Sequence, residues 1–277
     1  MTLKTTLGIL IALICISCNN TTQQTPTTTT ENVVKEETPT FTNKGHELVY
    51  TMMQEVGDYA TLAAKNDVVY TYTYQTPDGQ KDVSTEKYIF DGEYSYGLYN
   101  THQRTLPELE GTIEQGYDGK KYWLKNEGTI ITDEAALKRV AFNRHTNYYW
   151  FTMMQKLGDP GLVYEYVKQQ KVNNINYDVV KVSFESTGDK PQDIYQLYIN
   201  PETKRVDQFL FTVIDFGVTD PYLMEVSYDE VDGLQIPTKR RYKKSDWDAT
   251  VTDAPWITVD WTDITFDNGL EKSLFVK

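Results

Sequence analysis

From Val68 to Phe266 the chain keeps repeating one pattern, a short run rich in Val, Ile, Thr and Tyr followed by a pair of turn residues. Tyr70, Tyr72 and Tyr74 alternate with Val69, Thr71 and Thr73, the period of a pleated strand with two unlike faces. Thr76-Pro77-Asp78-Gly79 then turns the chain into a second run ending at Phe90. Asp91-Gly92 leads into Tyr94–Tyr99, and Asp118-Gly119 joins Ile113–Tyr117 to Tyr122–Lys125. Asp-Gly suits the positive φ angles of a two-residue hairpin turn. Further runs lie at 162–168, 177–185, 194–199, 206–214, 223–230, 235–243 and 257–266, punctuated by Asn200-Pro201, Asp232-Gly233 and Asn268-Gly269. This predicts about a dozen strands, nearly all joined as hairpins, and hence an antiparallel sheet.

Two segments break the pattern. Leu48, Val49, Met52, Met53 and Val56 recur at helical spacing within 44–57, and Gly57 is a natural stop. Residues 133–157 open with Asp133 and Glu134, which favour a helix N-terminus. They close on the apolar Tyr148, Tyr149, Trp150, Phe151, Met153, Met154 and Leu157. The fold class expected is mainly β with helices (α+β): a highly curved antiparallel sheet or open barrel with helices laid on it. No repeat of propeller length is present. In 206–214, alternation puts Val206, Leu210 and Ile214 on one face and Phe209, Phe211 and Val213 on the other, so both faces are apolar. Either helices and loops cover both, or one face lines a cavity.

The N-terminus reads as an export signal. Lys4 precedes a mostly apolar run, Leu7–Ile16, that is too short to span a bilayer. Cys15-Ile16-Ser17-Cys18 follows, with small Ser17 before Cys18. This resembles the lipobox of bacterial lipoproteins, although Cys15 stands where Leu is usual; the resemblance implies cleavage before Cys18 and lipid attachment to it. Residues 1–17 are therefore the expected signal peptide, 18–40 the lipidated Cys and a tether, and 41–277 one domain. The stretch 19–40 holds nine Thr and two Pro and almost nothing apolar, so it cannot offset its ordering entropy. As a coil of that length it reaches roughly 25 Å. Asn19 and Asn20, not acidic residues, follow Cys18. By resemblance to lipoprotein sorting signals, a periplasm-facing outer-membrane anchor is expected rather than cell-surface display.

Composition narrows the chemistry. With Lys4 removed, 26 basic residues face 40 acidic ones, a net charge of −14 that repels phosphate backbones and argues against nucleic acid. Cys15 and Cys18 are the two cysteines, so the expected domain has no disulfide and no thiol nucleophile. His46, His102 and His145 lack ligand spacing; a zinc site would need all three to converge, with Glu108 or Glu110. No nucleophile elbow, phosphate loop or dinucleotide fingerprint occurs. Neither an enzyme nor a cofactor is expected. Lys239-Arg240-Arg241-Tyr242-Lys243-Lys244 is the one dense basic run. Alternation sets Lys239, Arg241 and Lys243 on one face and Arg240 and Lys244 on the other. The run reads as an exposed strand balanced by acidic neighbours such as Asp246 and Asp248, or as a contact for anionic headgroups.

The order of an N-terminal helix, curved strands, a mid-chain helical insert and more strands resembles the LolA/LolB/LppX group of periplasmic lipid and lipoprotein carriers. Local phrases carry the likeness: Tyr117-Asp118-Gly119-Lys120-Lys121-Tyr122-Trp123, Leu197-Tyr198-Ile199-Asn200, and Ile264-Thr265-Phe266-Asp267-Asn268-Gly269-Leu270. The stretch from Gly45 onward also resembles an uncharacterised lipoprotein domain family of Bacteroidetes bacteria. The resemblance implies an open half-barrel with a helical lid and an apolar cavity that takes a lipid or the acyl chains of another lipoprotein. Four of the six methionines lie in the two helices, and Met adapts to irregular partners. The expected lining is Met52, Met53, Met153, Met154 and Trp150 from the helices, with Tyr72, Phe90, Phe209 and Phe211 from strands. A monomer is expected. The competing readings are a packed methionine core, a glycan binder presenting Tyr and Trp, and a hydrolase of envelope material.

The anchor is directly testable. Once processed, a Cys18→Ser chain should leave the membrane fraction in a salt wash, since no other predicted segment is long and apolar enough to hold it. Persistence in the membrane pellet would refute the lipid anchor.

Overall fold

A computed structural model describes residues 39–185 and 192–277. The signal, Cys18 and the tether up to residue 38 lie outside the described residues. Those that follow Thr40 form a compact unit. Helices α1 (Lys44–Val56) and α2 (Tyr59–Ala63) lead into strands β1 (Asp67–Gln75), β2 (Lys81–Ile89), β3 (Tyr94–His102), β4 (Ile113–Tyr117), β5 (Tyr122–Asn126) and β6 (Thr129–Ile131). Helix α3 (Glu134–Lys156) then precedes β7 (Leu162–Val172), β8 (Ile175–Phe184), β9 (Tyr195–Ile199), β10 (Val206–Val213), β11 (Val218–Val231), β12 (Leu234–Lys244) and β13 (Ile257–Phe266). Asn43, Asp58 and Asp133 cap the three helices, each side chain accepting a backbone N–H of the first turn.

The thirteen strands make one antiparallel sheet in the order β6-β5-β4-β3-β2-β1-β13-β12-β11-β10-β9-β8-β7. It is open, and β6 and β7 are its two edges. The expected mainly β, open half-barrel class with helices on it is the class observed. Because α3 connects β6 to β7, the chain must travel from one edge to the other. Twenty-three helical residues span about 34 Å, and α3 makes the crossing over the inner face. Edge β7 is partly covered by the start of α1. The Asn43 amide donates to the Tyr164 carbonyl at 2.8 Å, and a Cβ on Gly45 would lie 3.0 Å from the Tyr166 amide nitrogen.

The crossing is fixed by a charge pair. Tyr70, Glu86, Gly97 and Gln115 stand opposite one another in register across β1 to β4. Arg144 of α3 lies over Gly97, where a Cβ would come 2.6 Å from its Nη1. There it meets Glu86 in a two-pronged pair, Nη1–Oε2 at 2.7 Å and Nη2–Oε1 at 3.1 Å, with both side chains 0% exposed. Ser84 and Tyr88 donate their hydroxyls to Glu86 at 2.6 and 3.0 Å, and Arg144 also donates to the Tyr99 hydroxyl at 2.9 Å. Burial alone would lower the guanidinium's pKa, but the Glu86 carboxylate holds it above the ordinary arginine range.

Apolar clusters flank this pin. Tyr99, Ile113, Leu124, Ala136 and Val140 pack under the first half of α3. Tyr70, Tyr88, Phe90, Phe151 and Trp261 pack beside its middle. Val49, Met52, Met53, Met153, Met154, Phe209 and Phe211 fill the space between α1, the end of α3 and strands β8–β11. The outer face is covered by loops. Tyr177, Val179, Tyr198, Leu210 and Leu223 lie with Ala249 and Trp256 of the β12–β13 connection. Ile89, Tyr96 and Trp123 lie under Phe275 of the C-terminal 3-10 turn, and the Trp123 indole donates to the Phe275 carbonyl at 2.7 Å. Helices inside and loops outside thus account for strands apolar on both faces.

Alternation misassigned one residue there. Val206 belongs with Phe209 and Phe211, because a bulge between Val206 and Gln208 shifts the register and flips the side chain. Ile214 leaves the strand altogether and opens a 3-10 turn, Ile214–Phe216.

Replacing Glu86 with Gln leaves Arg144 buried and uncompensated, and should cost about 3–5 kcal/mol in urea unfolding. The double variant Glu86→Met with Arg144→Met should lose less than either single replacement. A loss under ~1 kcal/mol for Glu86→Gln would show that α3 does not depend on the pair.

Candidate functional site

The inner face has two zones of different character. The first is the methionine cluster. Met52, Met53, Met153 and Met154 are 0–8% exposed, as are Phe209 and Phe211, and all six fall in one cluster with Trp150 against it. Phe90 lies in the neighbouring cluster, with Tyr72 and again Trp150 packed against that. The fold therefore gathers the nine expected lining residues into two adjoining clusters, and Trp150 is common to both. The sequence pattern could not foresee how closely they pack. Met53 lies against Gly158, where a Cβ would meet its Cε at 2.7 Å.

The second zone is a belt of half-buried aromatics at the centre of the sheet. Tyr72 of β1, Trp150 of α3, Tyr222 of β11 and Tyr242 of β12 keep part of their surface open although they face inward. Phe211 stacks at 5.8 Å from Tyr222 and lies 5.1 Å from Trp150. Tyr74 and Tyr242 join their hydroxyls, and Arg104 sits 3.6 Å over the Tyr74 ring. Burial raises the Tyr72 and Tyr242 phenols far above the usual range, so both stay neutral at physiological pH. At the tip of the β10–β11 hairpin, Phe216 is 53% exposed yet meets Phe142 of α3 edge to face at 4.3 Å. That contact joins the hairpin tip to the crossing helix.

Arg240 of β12 lies within this belt. Alternation correctly separated it from Lys239 and Arg241, but the run is not a uniformly exposed strand: Lys239 and Arg241 are exposed and Arg240 is buried. The outer residues find partners other than the acidic pair expected. Arg241 pairs with Glu225 at 2.6 Å, and Lys243 donates to the Thr252 and Ala254 carbonyls. Asp248 pairs with Lys168 instead. Lys239, Arg240, Arg241, Ser227, Glu225, Thr258 and Asp260 line an outer-face groove of about 260 Å³.

The three histidines sit in separate settings. His46 stacks on Tyr164 at 4.8 Å. His102 has its ring nitrogens 3.1 and 2.9 Å from the Thr105 and Gly111 carbonyls. His145 is exposed on α3. Among the described residues no group of three His, Cys, Asp or Glu is placed to hold a metal, and no helix is long and apolar enough to cross a membrane.

Two features of the site escaped sequence reasoning. Glu86 stands two residues from Tyr88 on the inward row of β2, and an acid in an aromatic row is a signal for a buried partner. Gly97 inside β3 is the companion signal, since a strand glycine marks a close approach.

Comparison with known proteins bears on the fold. A family model described as a family of unknown function (DUF6503) matches residues 117–221. No curated protein matches the sequence. Among solved structures, a DUF1329 family protein from Desulfovibrio piger is similar at a TM-score of 0.51 and 13% identity, covering 84% of this chain and 95% of that one. A LolA superfamily protein from Nitrosomonas europaea covers the same 84%, and 97% of its own chain, at 12% identity and a TM-score of 0.49. The lipoprotein LppX of Mycobacterium tuberculosis covers 81% and 97% at 8% identity and a TM-score of 0.33. At these identities the likeness is one of fold alone.

Because Met154 is 2% exposed in a filled cluster, Met154→Trp should overpack and cost roughly 1–3 kcal/mol in thermal or urea unfolding. No loss of stability would mean that space exists there which the closed packing hides.

Proposed function

We propose that this chain is an envelope lipoprotein whose domain binds a hydrophobic ligand, a lipid or the acyl chains of another lipoprotein, without catalysing a reaction. In this reading lipid on Cys18 anchors it in the outer membrane facing the periplasm, and residues up to Thr40 tether a domain that acts as a monomer. The observation that carries the reading is the aromatic belt. Tyr72, Trp150, Tyr222 and Tyr242 face the inside of an open sheet under a crossing helix, yet remain partly uncovered. Apolar surface that faces inward and is left unsealed is what an acyl chain would cover. The methionine cluster adjoins it and supplies side chains that reshape at low cost. An acyl chain entering past Trp150 would extend over Phe209 and Phe211 towards Met53 and Met154.

No catalytic group is needed for such a task, because each buried methylene contributes about 0.8 kcal/mol. The glycan reading draws less support. It relied on exposed Tyr and Trp, and none of the 21 tyrosines lies exposed; all are buried or half-buried. Trp247 is the one strongly exposed tryptophan among the described residues.

The test is titration of the processed Cys18→Ser chain with a fluorescent fatty acid. Saturable binding is expected, and Met53→Trp should weaken it about tenfold or more by filling the path. If wild type binds no probe while Met53→Trp and Met154→Trp are clearly destabilised, the methionines are core and nothing more, and the binder reading falls.

A further inference from the structure

The middle of the aromatic belt holds three hydrogen-bond donors without acceptors. Arg240 is 5% exposed, and its guanidinium lies 3.6 Å over the Trp261 ring. Among the described residues its Nε has no partner and no carboxylate pairs with it. Trp261 is 3% exposed, and its indole Nε1 is likewise buried without an acceptor. Tyr72 stands directly opposite Trp261 in the β1–β13 register, and its hydroxyl bonds to no described residue.

Such a patch is costly. A buried polar group without a partner forfeits its hydration, and a buried charge forfeits far more. Glu86, a buried acid of the same sheet, is already taken by Arg144 and by the Ser84 and Tyr88 hydroxyls. Burial depresses the Arg240 pKa to about 10, so the cation persists at neutral pH. The surrounding side chains are Tyr70, Tyr72, Tyr88, Tyr242, Trp150 and Trp261; the Trp261 face stabilises the cation in part, but none of these neutral groups supplies a counter-charge. Three donors and a net positive charge on one inward patch call for an oxyanion. Tyr72, Tyr242 and Trp150 beside the patch are half-buried rather than sealed.

We propose that Arg240, Trp261 and Tyr72 form the headgroup site for an anionic amphiphile, its carboxylate or phosphate on the guanidinium and its chain running from Trp150 along Phe211. This rests on the hydrophobic-ligand reading and makes it more specific, since that reading is indifferent to headgroup charge.

The test is calorimetric titration of the processed Cys18→Ser full chain with oleate, with oleyl alcohol and with inorganic phosphate. Wild type should bind oleate more tightly than the alcohol and bind phosphate weakly. Arg240→Met should weaken oleate about tenfold or more while changing oleyl alcohol by less than about twofold. Its melting temperature should hold or rise, because an unpaired buried cation is replaced by an apolar side chain. Tyr72→Phe, a change of one hydroxyl, should weaken oleate severalfold and spare the alcohol, and it carries the test should Arg240→Met fail to fold. Equal weakening of both amphiphiles, or unchanged oleate affinity in a folded Arg240→Met, overturns the headgroup site while leaving the hydrophobic-ligand reading intact. Binding of phosphate but of neither amphiphile overturns it in favour of a free anion. If nothing binds wild type, the underlying reading fails with it.

Discussion

The pairing of Glu86 with Arg144 is the contact on which the arrangement of the inner face depends. The sheet is open, its edges are β6 and β7, and the segment joining those edges is α3. A helix making that crossing over an apolar surface could slide or rotate, since apolar packing is non-directional. A two-pronged ion pair with no exposed atom cannot slide, because any displacement leaves a buried charge on each side. Gly97 permits the seat by omitting a Cβ beneath the guanidinium, and Ser84, Tyr88 and Tyr99 complete the hydrogen bonds. Once Arg144 is set, the helical period places Val140 over the β3–β5 cluster, Phe151 over Tyr70 and Trp261, and Met154 over the α1 side.

That placement explains why the inner face is uneven. Under the last turns of α3, helix α1 supplies a second layer, and Met52, Met53, Met153 and Met154 close against β8–β11. Over β1, β12 and β13 the short α2 brings Leu62 against Leu234, Ile236 and Trp261, while Tyr72, Tyr222 and Tyr242 stay half-covered. The two buried arginines divide along the same line. Arg144 sits where the sheet offers a carboxylate; Arg240 sits where it offers aromatic rings and hydroxyls alone. One cation is structural by its pairing, and the other is left with a buried Nε donor that has no acceptor among the described residues.

Much of this fold was legible in the sequence. Alternation and turn pairs located the strands because each hairpin is a local event, and Asp118-Gly119 and Asp232-Gly233 do take positive φ at glycine, at 84° and 83°. Both long helices were legible, α1 from apolar spacing and the stop at Gly57, and α3 from Asp133 and Glu134 at its start and the apolar run at its end. The short elements α2 and β6 were not, since five and three residues carry too little periodicity. Long-range facts were also hidden. The bulge at Val206 reversed a face, the 3-10 turn at Lys272–Phe275 covered an outer cluster, and β1 met β13 from the opposite end of the chain. Of the candidate site, the apolar residues were legible as apolar, because hydrophobicity is a property of each residue alone, but which sheet face they occupy was not. The donors Arg240, Trp261 and Tyr72 were not recognised together, because they join only through register between three strands. The run around Arg240 looked like solvent-facing charge, although Thr238 and Tyr242 on the same side of β12 hinted otherwise.

The central claim, that the inner face is completed by an amphiphile, is tested most directly on protein purified without denaturant from its native membrane. Organic extraction followed by mass spectrometry should release a non-covalently held fatty acid or anionic lipid in near-stoichiometric amount. Protein that yields no extractable lipid and takes up none when offered oleate would contradict the account.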